Sequence, residues 1–158
     1  MYRTYHFSIK KKSELFNYLE DMCMKSKNLW NVANFYIRQN MTGLQKPENE
    51  RQPNEIEVIN KTIEGLRIMN NRRISYAREK FLKNCSGLSI TEICAIYGEF
   101  ENKEPSLPSS DNWFLGYIDL NNILRCTNNP DYRALPAQVN SEILTGYCIS
   151  GALFFVYT

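Results

Sequence analysis

Apolar positions alternate at the start of the chain and recur at helical spacing after it. Tyr5, Phe7 and Ile9 fall on one side of residues 2–10, and Thr4, His6 and Ser8 on the other. Alternation rich in aromatic and β-branched residues predicts a strand, closed by Lys10, Lys11 and Lys12. Ser13 predicts the cap of a long helix. Leu15, Leu19, Met22, Leu29, Ala33 and Tyr36 follow it at a period of about 3.6 residues. Glu14 and Arg38 stand near the ends where the helix dipole favours their charges, so the helix is expected to reach about Asn40.

Thr42–Asn54 holds a glycine, two prolines and mixed charge, the composition of a loop. A second long helix is expected from Pro53 and Asn54, with Ile56, Ile59, Ile63, Leu66, Ile74, Ala77 and Phe81 as its apolar stripe and Ser86-Gly87 as its stop. Ser89 and Glu92 have capping-box spacing and predict a short third helix. Residues 101–112 read as a linker. Asp119 is expected to cap a short helix through Leu124 and Arg125, Asn128–Asp131 to turn, and Pro136 to open a last helix carrying Val139, Ile143 and Leu144.

Charge changes the picture more than composition does. Residues 1–87 carry 16 Lys and Arg against 9 Asp and Glu, and residues 88–158 carry 3 against 8, so +7 and −5 give the net +2. Such asymmetry points to a basic part facing nucleic acid or a membrane, joined to an acidic part. The plainer reading is a charge distribution that averages out on the folded surface. The five cysteines (Cys23, Cys85, Cys94, Cys126 and Cys148) stand singly, without a C-x-x-C pair. That pattern is neither a disulfide framework nor a zinc site, and free thiols point to a reducing cytosol. No signal peptide opens the chain, and no apolar run approaches the roughly 20 residues of a membrane span. A cytoplasmic protein with no membrane role is the expectation.

No catalytic constellation is legible. His6 is the sole histidine and falls in the expected strand, and no phosphate-cradling glycine loop occurs. Glu99, Glu101 and Glu104 are the densest carboxylates, and a solvated acidic loop accounts for them. Neither a cofactor nor a metal is implied. The positive signals concern nucleic acid. Lys10, Lys11 and Lys12 lie beside Tyr2, Tyr5 and Phe7, pairing charge for phosphates with rings for bases. Arg72, Arg73, Arg78, Lys80 and Lys83 form a second basic group on a helix that can track a backbone. The plainer alternatives are a lysine run at a strand end and strand aromatics that belong to the core.

Two segments carry a family resemblance. The first is Arg3-Thr4-Tyr5-His6-Phe7-Ser8-Ile9, the lysine run, and then Asn28-Leu29-Trp30-Asn31-Val32-Ala33-Asn34-Phe35-Tyr36-Ile37-Arg38-Gln39. The second is Tyr117-Ile118-Asp119-Leu120-Asn121-Asn122-Ile123-Leu124 with Asn129-Pro130-Asp131-Tyr132-Arg133-Ala134-Leu135-Pro136-Ala137-Gln138-Val139. In order and spacing they resemble the opening part of TnpB (OrfB) proteins, the RNA-guided nucleases of small insertion sequences.

That resemblance implies an α+β, mainly α fold: long amphipathic helices of a recognition-like lobe inserted next to a few strands of a partial wedge or oligonucleotide-binding barrel. By analogy, residues 1–12 are the wedge-like strand and basic turn, 13–100 the helical lobe, 101–112 the linker and 113–144 a return segment with short helices. It implies RNA, DNA or both as partners but transfers no base-specific contacts; the contacts expected in this chain are Arg3, Tyr5, Lys10–Lys12 and Arg38 with the Arg72–Lys83 group. The family's RuvC nuclease and zinc cysteines have no counterpart in residues 145–158, an apolar tail without charge. The expectation is therefore a binding front end without nuclease activity, with a nuclease half in trans as one option. A nuclease-less DNA-binding regulator and an inert remnant or protein-interaction module stand as alternatives. For the tail itself, a decayed junction and a strand at Leu153–Tyr157 both stand.

Overall fold

The computed structural model describes residues 8–101 and 105–156. Two long helices dominate it: α1, Glu14–Leu44, and α2, Pro53–Asn84, joined through a single 3-10 turn at Glu48–Glu50. There follow α3 (Ile90–Glu101), α4 (Tyr117–Cys126), α5 (Pro130–Arg133) and α6 (Ala137–Val156). Every element among the described residues is helical, which overturns the expected α+β fold and its wedge-like barrel. Residues 1–7 of the expected strand lie outside the described residues, and Ser8, Ile9 and Lys10 carry no strand. The other expected strand is corrected too, because residues 153–156 continue α6. A lone strand with no sheet to join has no ladder to satisfy its backbone, whereas the helix supplies those hydrogen bonds internally.

The long helices form an antiparallel hairpin. Gly43 of α1 sits against Glu55 and Ile59 of α2, so close that an added Cβ would stand 2.9 Å from each. Asn40 is fully buried, donating from Nδ2 to the Tyr36 carbonyl at 2.9 Å and to Thr62 Oγ1 at 3.0 Å. This packing carries α1 beyond Asn40 to Leu44, into the segment expected to be loop. The buried stripe of α2 also differs from the expected one. Glu55, Val58, Ile59, Thr62 and Gly65 face inward, while Ile56 is 42 % exposed. Small and polar side chains win this face because a neighbouring helix approaches closely there.

At Glu55, Ile59 and Thr62 that neighbour is α1, and at Gly65 it is α4, whose Leu120, Ile123 and Leu124 are completely buried. Gly116 holds its N-cap position, not Asp119, which lies in the first turn. Side chains of this size contribute about 1.5–3 kcal/mol each when fully buried. The core continues through Leu29, Ala33 and Ile37 of α1 to Leu144 and Tyr147 of α6. Tyr147 donates to Asn34 Oδ1 at 3.1 Å and meets the Trp30 ring edge-on at a centroid distance of 5.0 Å. Asn129 caps α5 by accepting the Tyr132 N–H at 3.1 Å. The expected Ser89–Glu92 box forms: Ser89 N–H donates to Glu92 at 2.9 Å, and Glu92 N–H to Ser89 Oγ at 3.3 Å.

At the start of α2, Glu55 accepts from Lys46 Nζ at 2.7 Å and from the Gln52 N–H at 2.8 Å. The Lys46 hydrogen bond and then the backbone one favour the carboxylate, holding its pKa down from 4.5 to about 2. A folded-state pKa below the unfolded one gives stability that is present above the unfolded pKa and lost as pH falls toward the folded one. Glu55→Gln is therefore expected to lower the urea midpoint at pH 7. The gap from the parent should close as pH falls from about 4.5 to about 2; a gap constant with pH would show that the pair does not link folding to protonation.

Candidate nucleic-acid interface

The second half of α2 runs past the core into a strongly basic segment. Arg67, Arg72, Arg73, Arg78, Lys80 and Lys83 stand there against Glu79 alone among acidic residues. Helix geometry sorts them. Arg72, Tyr76, Lys80 and Lys83 are spaced i, i+4, i+8 and i+11, which puts them on one stripe of a helix with about 3.6 residues per turn. Arg72 and Lys80 are exposed and make no ion pair with any described residue. Lys83 pairs with Glu79 at 2.7 Å, an exposed ion pair that water screens. Tyr76, in the middle of the stripe, is 69 % exposed. Tyr76 lines an open depression of about 490 Å³ together with Ile68, Asn71, Arg72, Ser75 and Glu79.

The other basic side chains of this helix have different surroundings. Arg73, exposed for much of its length, lines a notch of about 250 Å³ between α2, α4 and Pro105-Ser106, with Asp119 across it. Arg78 turns toward α3: its guanidinium carbon lies 4.7 Å from the centre of the Tyr97 ring. Phe81 meets Phe100 at 6.2 Å, so α3 doubles back along α2. Gly87 makes this reversal possible with φ of 103°, a conformation that residues with a Cβ rarely adopt. Arg78 thus serves the α2–α3 contact, and a cation over a tyrosine face gains about 0.5–1 kcal/mol at exposed sites.

The remaining candidates are dispersed. Lys10, Lys11 and Lys12 are exposed at the foot of α1, in a turn closed by the Ser13 N–H on the Lys10 carbonyl at 2.9 Å. Arg38 is exposed on α1. Arg3, Tyr5 and His6 lie outside the described residues. Tyr76 is absent from the sequence-based candidates, although its place four residues after Arg72 and four before Lys80 is legible in the chain.

No protein-family model, curated protein or solved structure matches the chain. The site therefore rests on its own geometry. A second concavity, of about 470 Å³, opens between α1 and α2 and is lined by Phe35, Tyr36, Val58 and Lys61 among others. Burial pushes the Tyr36 phenol above its ordinary value, against a smaller opposing pull from Lys61. Lys61 is itself paired with Glu57 at 2.6 Å, so this groove offers no unpaired cation of its own. Among the described residues no group of three or more His, Cys, Asp or Glu side chains converges as a metal site. No described helix is long and apolar enough to cross a membrane.

Proposed function

We propose that this chain binds RNA or DNA along the second half of α2, as the nucleic-acid-handling part of a TnpB-like protein. Its part in that reading is binding and not strand cleavage. The observation that carries the reading is the exposed stripe on which Arg72 and Lys80 stand without an ion pair among the described residues, one turn either side of Tyr76. Unpaired exposed cations at regular spacing suit a polyanion, because each contact releases condensed counterions at little desolvation cost. The basic balance of residues 1–87 supports it as well, since the positive field is concentrated where the stripe lies. A cytoplasmic setting fits the five free thiols. The wedge barrel of the resemblance plays no part in this proposal.

The test is a salt titration of affinity for fluorescent RNA and DNA, read by anisotropy. The triple variant Arg72→Ala, Arg73→Ala, Lys80→Ala is expected to bind more weakly. Its log-affinity against log-salt slope should flatten by about 0.7–0.9 for each phosphate no longer neutralised. Arg78→Ala should leave the slope unchanged, because that guanidinium serves the Tyr97 ring. Equal affinity and equal slope in the triple variant would sink the proposal.

A further inference from the structure

The stripe holds one residue whose exposure charge does not explain. Tyr76 presents 69 % of its surface to solvent in the middle of a regular helix, with no ring stacked on it among the described residues. A tyrosine this exposed leaves most of its apolar ring in water. Its neighbours along the stripe are the unpaired Arg72 and Lys80, one turn away on either side. Those two Cα atoms are about 12 Å apart along the axis, from the ~1.5 Å rise per residue. A ring between two cations that have no ion pair among the described residues matches a polyanion whose flat, apolar groups are accessible between its phosphates.

We infer that Tyr76 is a base-stacking platform, and that the stripe takes single-stranded rather than duplex nucleic acid. This rests on the reading of the stripe as a nucleic-acid surface and adds the strandedness of the ligand. In a duplex the base faces are stacked inside, and a helix lying against the backbone meets only phosphates and groove edges. In a single strand each base can swing out and offer its face to an aromatic ring, whatever its identity. Arg72 and Lys80 then hold phosphates on either side of the stacked base. Lys83, tied to Glu79, contributes least. Tyr76 itself lines the open depression, with Ile68, Arg72 and Glu79 among its other walls, and this shallow surface encloses no base-shaped slot. Little sequence preference follows.

The experiment compares the protein with Tyr76→Ala, Tyr76→Phe and the pair Arg72→Ala, Lys80→Ala on fluorescent oligouridine and on a mixed-sequence RNA duplex. Because Tyr76 is so exposed, its replacement leaves the core intact. Tyr76→Ala is expected to weaken oligouridine binding about 5- to 150-fold at unchanged salt slope. Tyr76→Phe should bind like the parent, and duplex affinity should change less than about 2-fold in either variant, since stacking energy is absent there. Flattening of the slope by the arginine–lysine pair with no effect of Tyr76→Ala overturns the stacking inference and leaves the basic surface standing. Equal losses on strand and duplex also overturn it. If neither change affects binding, the surface itself is wrong and the inference falls with it.

Discussion

Gly65→Ala is expected to destabilise the protein by about 1–3 kcal/mol, as overpacking does, although alanine is the better helix former by about 1 kcal/mol. The reason is where α2 and α4 touch. A Cβ on Gly65 would stand 2.8 Å from the Cα of Ile123 and 3.2 Å from its Cβ. Those are atoms of the α4 backbone and branch point, which no change of rotamer moves. The helix itself must shift, carrying the buried Leu120, Ile123 and Leu124 out of register with α1 and α6. Gly98→Ala gives the opposite sign, because that glycine lies inside α3 with nothing within 4 Å of the added Cβ. There alanine should stabilise by about 0.5–1 kcal/mol. Urea denaturation followed by tryptophan fluorescence and circular dichroism measures both. A stabilised Gly65→Ala protein would mean that the two helices do not approach as described.

The second large effect is expected at Asn140, which is 1 % exposed. Its Nδ2 donates to the Tyr132 carbonyl at 2.7 Å and to the Leu135 carbonyl at 3.4 Å, tying the end of α5 to the first turn of α6. Asn140→Ala strands buried carbonyls, at roughly 1–3 kcal/mol. Asn140→Asp should be worse at neutral pH, because it sets a buried negative charge against two carbonyl oxygens. Such a carboxyl has its folded-state pKa raised above the unfolded value. Its penalty is full above the raised pKa and fades as pH falls through it toward the unfolded one. Denaturation midpoints at neutral and acid pH should therefore rank parent, alanine, aspartate at neutrality, with the aspartate variant gaining on the alanine one in acid. The reverse order at neutrality would remove Asn140 from the folding core.

The contrast between Asn140 and the apolar runs shows what a sequence gives away. Helices α1, α2 and α3 were legible because local rules suffice for them: period, a proline at the first turn of α2, Gly87 after its end, and the Ser89–Glu92 box. The buried faces were less legible. Ile56 outranks Thr62 on any apolarity scale, yet Thr62 is buried and Ile56 exposed, because Asn40 and α4 select the face. Asn40 and Asn140 read as surface residues until their partners, distant in sequence or across a turn, are known. The apolar tail misled for a related reason. A short aromatic and β-branched run fits strand or helix, and here it continues a helix that begins at Ala137. Of the candidate interface, the basic group could be read from charge. Its division could not, since only tertiary contacts send Arg78 to Tyr97 and leave Arg72 and Lys80 without an ion pair among the described residues.

One consequence lies in the continuity of α2, which passes unbroken from the packed core to the basic stripe. Gly65 and Arg72 are seven positions apart, close to two full turns, so they share nearly the same azimuth. The stripe therefore begins on the side of α2 that α4 covers further back. An inserted residue between Met69 and Arg72 would swing the stripe by about 100°, leaving Gly65 and Leu66 where they pack. The close fit of two helices at a glycine thus serves as the compass by which a distant surface is aimed.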